Sequence, residues 1–261
     1  MPVQPLDFAA GLARQAGEII RRNFTLGMMK EWKVNDTPIT VTDVAINQHV
    51  INAVQREYPN RRVLGEEGDG GVAGSPLVWV CDPVDGTIPF SHGIPCCVFS
   101  LALVQDGVSR IGVIYDPFLE RLFTAENGHG AFVTGNPLRV SQHQNLHNVA
   151  VGLGFWYRQP WQFFQLAQKL DAKGALLLNA GSIAYMGVLV ASGEFGVTIF
   201  QGQQPHDTAA LKVIVEEAGG KVTDLFGAEQ RYDGHIKGHS VSNGIIHDEL
   251  VRSIRETVTM Q

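Results

Sequence analysis

Trp79-Val80-Cys81-Asp82-Pro83-Val84-Asp85-Gly86-Thr87 is the stretch on which both the fold and the chemistry turn. The run Val78 to Cys81 is apolar at every position, as a strand buried on both faces must be, and it ends in Asp82, a carboxylate delivered at the strand's C-terminal end. Asp85 follows three residues later, across a proline that fixes the turn, so the two carboxylates can converge on one point. Like charges that close are costly unless a cation lies between them, and a hard divalent ion with oxygen ligands, such as Mg²⁺, meets that need. Gly86 and Thr87 then offer backbone N–H groups, an anion site if a helix starts there. A metal beside an anion site points to phosphate chemistry.

Two further acidic clusters border apolar elements: Gly65-Glu66-Glu67, and His206-Asp207 ahead of an apolar helix. Taken singly each has a plainer reading. D-x-x-D-G-T is more often a turn, a Glu-Glu pair is normally solvated surface, and Asp207 serves as an N-cap. Their combination favours a metal site.

Around these clusters the chain reads as helix, then strands, then alternation. Phe8, Leu12, Ala16, Ile19 and Ile20 recur at helical spacing within Asp7 to Phe24, as do Ile46, Val50, Ile51 and Val54 before Pro59. Segments Cys97 to Val104, Arg110 to Tyr115 and Arg121 to Thr124, separated by Asp106-Gly107 and Asp116-Pro117, read as an antiparallel meander. Gly68 to Gly74 reads as an exposed, mobile connection. Later, helices are expected over Trp161 to Leu170, Ala184 to Ala191 and Thr208 to Ala218, the last ending at Gly219-Gly220, with a strand over Phe195 to Phe200. This divides the chain into an N-terminal α+β lobe, residues 1–145, and a C-terminal α/β lobe, residues 146–261, packed together because no Pro- or Ser-rich linker separates them.

The 261 residues suffice for a sizeable core, and 44% hydrophobic with 18% charged residues excludes disorder, collagen-like sequence and coiled coil. The formal net charge of −6 provides no general attraction for phosphate and no basic stripe for nucleic acid. Three cysteines, Cys81, Cys96 and Cys97, support neither a disulfide framework nor a zinc site; Cys96 and Cys97 read as core. A cytoplasmic protein without signal peptide or membrane span is expected.

These segments, with Thr40-Val41-Thr42-Asp43 and Thr208-Ala209-Ala210 followed by Glu217-Ala218-Gly219-Gly220, resemble the inositol monophosphatase family of Mg²⁺-dependent, lithium-sensitive phosphatases, in the family's order and over nearly the whole chain. The resemblance implies a layered α-β-α-β-α sandwich, α+β and α/β in character, of the inositol monophosphatase / fructose-1,6-bisphosphatase type. It implies that Glu66, Asp82 and the Val84 carbonyl hold one ion, that Asp82, Asp85 and Asp207 hold a second, and that a third is sometimes bound near the glutamate. Glu66 and Thr87, with Asp43 accepting a hydrogen bond from Thr87, would activate the attacking water. Gly86, Thr87, Gly181 and Ser182 would face phosphate or substrate, and Lys33 would approach the phosphate. A homodimer is the implied assembly, and some bacterial relatives bind RNA polymerase in transcription antitermination.

The chain departs from the family in places. His206 stands where many relatives have Trp, and reads as a packing residue, a supporting partner of the metal carboxylates or a substrate contact rather than a ligand. Ile88-Pro89-Phe90 alters the turn after Thr87. The inositol-binding glutamate of the animal enzymes falls at Phe200, beside Gln201, and no arginine precedes Gly181. The expected reaction is hydrolysis of a small polyol or sugar phosphate, inositol monophosphate first, with histidinol phosphate and fructose 1,6-bisphosphate as alternatives; 3′-phosphoadenosine phosphate is disfavoured by Pro89. Phe155, Trp156, Tyr157, Trp161, Phe163 and Phe164 read first as core of the second lobe, with a substrate wall or subunit interface as the alternative, while His235 and His239 make a poor metal pair among their glycines.

Overall fold

The computed structural model describes residues 3–33, 37–155 and 160–260. Helix α1 (Pro5–Asn23) opens with proline in its first turn, and helix α2 (Val41–Glu57) opens on a capping box in which Thr40 and Asp43 satisfy each other's backbone N–H groups. Between them, β1 (Glu31–Trp32) and β2 (Pro38–Ile39) form an antiparallel ribbon.

The first large sheet contains β3 (Arg62–Gly65), β4 (Gly70–Gly71), β5 (Leu77–Asp85), β6 (Val98–Gln105), β7 (Val108–Asp116), β8 (Arg121–Glu126), β9 (Ala131–Val133) and β10 (Asn136–Pro137). Its spatial order is β10-β9-β8-β7-β6-β5-β3-β4, antiparallel throughout except where β3 runs parallel to β5. The second sheet contains β11 (Ala150–Gly154), β13 (Leu176–Leu178), β14 (Val197–Phe200), β15 (Lys221–Thr223) and β16 (His239–Ser242) in the order β13-β11-β14-β16-β15, with its first three strands parallel. A separate β12 (Trp161–Gln162) pairs with β17 (Thr259–Met260).

Helices fill the space around and between the sheets. Helices α1 and α2 cover one face of the first sheet. Helices α5 (Ile183–Ala191) and α6 (Ala209–Glu217) lie between the sheets, and α4 (Phe164–Ala172) and α7 (His247–Thr257) cover the far side of the second. The result is a layered α-β-α-β-α sandwich. The apolar run of β5 makes this possible: Trp79 and Cys81 pack towards α1 and α2, Val78 and Val80 towards α5 and α6.

Several boundaries differ from expectation for identifiable reasons. Trp161 and Gln162 are strand, and α4 starts at Phe164, because Trp161 pairs with the chain's far end, a non-local bond that helical periodicity cannot register. Gly70 and Gly71 form an edge strand on Arg62 and Val63, so Gly68 to Gly74 is partly tied down. Strand β14 begins at Val197, since the Phe195 N–H is spent on the Leu189 carbonyl closing α5. Asp207 is not the N-cap of α6: it ends a 3₁₀ turn, Pro205–Asp207, and Thr208 takes the cap position. Within the aromatic cluster, Trp161 and Phe163 are buried, whereas Phe155 and Phe164 are exposed and meet edge to face; Trp156 and Tyr157 lie outside the described residues. Cys97 is buried and Cys96 half-buried. Among the described residues no helix is long and apolar enough to cross a membrane.

Candidate active site

A bulge in β5 makes its two aspartates converge. Asp82 pairs with Ser100 and Asp85 with Val98, so three steps on β5 oppose two on β6. In a regular strand residues three apart point to opposite faces; the extra residue, placed where Pro83 has no N–H to donate, returns them to one side. Asp82 Oδ1 accepts from the Val84 N–H at 3.1 Å. Asp85 reaches the start of α5, where the Ser182 hydroxyl and the N–H groups of Ile183 (3.1 Å) and Ala184 (2.8 Å) donate to it.

Gly86 makes the next step possible. It adopts φ +96°, and a Cβ there would lie 2.7 Å from the Cys96 carbonyl and 2.8 Å from Ser182 Cβ. Gly86→Ala is therefore expected to destabilise the fold by about 2–3 kcal/mol, read as a lower urea midpoint with an unchanged m-value. After Gly86, the short helix α3 (Thr87–Ser91) starts with the Thr87 hydroxyl 3.1 Å from Asp43 Oδ1 and 3.0 Å from the Val84 carbonyl. Asp43 is held from behind by the Thr40 N–H at 2.9 Å and the Thr40 hydroxyl.

Two sets of ligand atoms, each within 4.8 Å of one another, emerge: Asp82, Asp85 and Asp207, and Glu66, Asp82 and His206. The four carboxylates border a small cavity of about 70 Å³, lined also by Val84, Gly86, Thr87 and Gly181, while His206 faces a neighbouring one. Burial, reinforced by neighbouring carboxylates, pushes Asp82 and Asp207 well above the usual carboxylate range. Burial likewise raises Asp85 to about 6 against its hydrogen bonds, and Asp43 to about 6. A buried carboxylate cluster that resists ionisation calls for a countercharge, and oxygen donors this close suit a hard divalent cation. The residues therefore fit a metal centre, with Asp82 common to both sets.

The remaining expected positions divide. Glu66 follows β3, its N–H bonded to the Cys81 carbonyl, and joins the cluster. Lys33 donates to Glu66 at 2.8 Å and also to Glu67, which holds it beside the cluster. Gly181 lines the cavity, but Ser182 is fully buried and holds Asp85. Phe200 packs with Ile183 and Met186 in the core and Gln201 is buried beside it; neither lines the cavity. His239 is buried against the Thr208 hydroxyl, 2.7 Å away, and His235 is exposed. Thr40 orients Asp43 through a capping box and Glu67 holds Lys33, two supporting roles not assigned from the sequence, although Thr40-x-x-Asp43 is a legible capping-box spacing.

Comparison with known proteins agrees with this geometry. The sequence profile of the Inositol monophosphatase family matches residues 3–259. The chain is 32% identical to the Nus factor SuhB of Pseudomonas aeruginosa, covering 92% of each protein. It is 32% identical to a histidinol-phosphatase of Mycobacterium tuberculosis, covering 94% of this chain and 96% of that protein. The solved inositol monophosphatase (IMPase) of Thermotoga maritima superposes with a TM-score of 0.87 at 30% identity, over 96% of both chains. With its two acidic sets meeting at the bulge of β5 and this similarity running from end to end, the chain belongs to the inositol monophosphatase family.

Proposed function

We propose that this chain is a Mg²⁺-dependent phosphomonoesterase acting on a small polyol or sugar phosphate, inositol monophosphate first among the candidates. The observation that carries the reading is the meeting of Glu66, Asp82, Asp85 and Asp207 in one cavity beside a Thr87 hydroxyl already oriented by Asp43. Ions held by Glu66, Asp82 and the Val84 carbonyl, and by Asp82, Asp85 and Asp207, would neutralise the phosphate, acidify a water and stabilise the leaving oxygen. Thr87 gives its proton to Asp43, which leaves its oxygen lone pairs to accept from the attacking water; Glu66 takes the proton that water loses. The water oxygen bonds to phosphorus, the ester P–O bond breaks, and the leaving oxygen takes a proton from solvent to depart as the alcohol. Gly86 and Thr87 N–H groups are assigned to the phosphate, and Gly181 to substrate hydroxyls.

Thr87→Val keeps the shape but removes the oxygen. It is expected to lower kcat about 100-fold with little change in metal affinity, checked by steady-state kinetics and calorimetry.

Phe200 offers no polar atom where animal inositol enzymes have a glutamate, which supports testing substrates beyond inositol monophosphate. A phosphate-release screen over inositol monophosphate, histidinol phosphate, fructose 1,6-bisphosphate and 3′-phosphoadenosine phosphate, with and without Mg²⁺, tests the assignment. Release from none of them in Mg²⁺ overturns it. Two or three ions per chain, inhibition by Li⁺, a homodimer and a cytoplasmic location complete the proposal; light scattering giving the mass of one 28.5 kDa chain contradicts the dimer. The Nus factor SuhB among its relatives supports a second reading, a regulatory role with RNA polymerase as protein partner. Recovery of polymerase by a catalytically dead variant supports that role, and its absence removes it.

A further inference from the structure

His206 occupies the 3₁₀ turn before α6 and is only 9% exposed. Its ring hydrogen-bonds to no described residue, although a buried polar group normally finds a partner. One ring nitrogen lies with carboxylate oxygens of Glu66 and Asp82, all three within 4.8 Å of one another. Ligand atoms bonded to one ion at about 2.0–2.2 Å lie about 3–3.6 Å apart in octahedral or tetrahedral geometry, so a side-chain adjustment of about 1 Å brings this set onto a shared ion. Beside the ring, Lys33, Gly65, Glu66 and Gln204 border a further cavity of about 200 Å³, which leaves room for small adjustments.

The two ligand sets differ in chemistry. Asp82, Asp85 and Asp207 offer oxygen alone, which suits Mg²⁺. Adding an imidazole to Glu66 and Asp82 makes a mixed donor set of the kind that favours first-row transition ions over Mg²⁺. A tryptophan at position 206, the common family residue, has no free lone pair to contribute.

We propose that His206 is a metal ligand and that, with Glu66 and Asp82, it makes a nitrogen–oxygen site selective for a divalent first-row transition ion, beside an all-oxygen site that retains Mg²⁺. This rests on the acidic cluster being a metal centre, and the test separates the two claims. Metal-stripped full-length protein is loaded with Mn²⁺ at two ions per chain and studied by pulsed electron paramagnetic resonance. The expected signal is ¹⁴N modulation from a coordinated imidazole, lost in both His206→Gln and His206→Trp while their circular dichroism stays that of the parent. Calorimetry with Zn²⁺ is expected to show at least about tenfold weaker binding in both variants, with Mg²⁺ affinity changed less than about twofold. Mn²⁺ bound without ¹⁴N coupling, or Zn²⁺ affinity equal in parent and variants, makes His206 a packing residue and overturns the proposal while the metal centre stands. Failure to bind any divalent ion overturns both.

Discussion

Asp85→Asn is expected to cut metal-dependent phosphate release by at least about 1,000-fold on every substrate the parent accepts, read as kcat/KM. The carboxylate belongs to the all-oxygen ligand set and is aimed by three donors at the head of α5: Ser182 Oγ and the N–H groups of Ile183 and Ala184. Asparagine removes the negative charge and turns an N–H₂ towards groups that are themselves donors. Losing one anionic ligand from a site whose catalysis is mostly charge neutralisation costs about 4 kcal/mol in the transition state, or about three powers of ten. Ser182→Ala deletes one of the three donors and keeps the charge, so its expected loss is only about tenfold. Equal activity of Asp85→Asn and parent would falsify the ligand assignment.

The stabilisation conferred by Mg²⁺ is expected to grow with pH, from almost none at pH 4 to several degrees of Tm above pH 6. Burial raises Asp85 to about 6 in the folded, ion-free chain, and raises Asp82 and Asp207 further. A carboxyl whose folded-state pKa is raised binds more protons folded than unfolded, so its contribution falls as pH climbs from the unfolded value through the folded one. For Asp85 alone that loss reaches about 3 kcal/mol once the pH is above about 7. Bound ions require the ionised form and cancel the loss, so the gap between loaded and stripped protein widens over the same interval. His239 and His247, lowered by burial to about 3 and about 4, work in the opposite direction. Being buried neutral, they destabilise on acidification, but in loaded and stripped protein alike. The difference in Tm between chelator-treated and Mg²⁺-loaded samples across pH 4–8 isolates the carboxylates. A gap independent of pH contradicts the burial of their charges.

What local pattern determines was legible before the structure. The periodicity of α1 and α2, the apolar run of β5 and the turn dipeptides of the meander are short-range signals, and the strands and helices lie where those signals put them. Long-range pairing was not legible. Trp161 became strand because it meets Met260, Ser182 was drawn into the core by Asp85 across 97 residues, and Lys33 is tied to Glu66 and Glu67. The Asp82–Pro83–Asp85 spacing announced two converging carboxylates, but the device that converges them, one extra residue against β6, exists only once the sheet has a register. His206 shows the same limit most sharply. Adjacent to Asp207 in sequence, it reads as a packing residue, a supporting partner of the carboxylates or a substrate contact, and only the 3₁₀ turn sets its ring against Glu66 and Asp82.

The net charge of −6 leaves no general attraction for a phosphate, and four of the acids responsible sit in the cluster itself. Attraction must then come from ions bound there. The most direct measurement is phosphate release from inositol monophosphate by the metal-stripped chain, before and after a single addition of Mg²⁺. No release before the addition and turnover after it is the expected result; equal turnover in chelator and in Mg²⁺ would contradict a metal-dependent phosphatase.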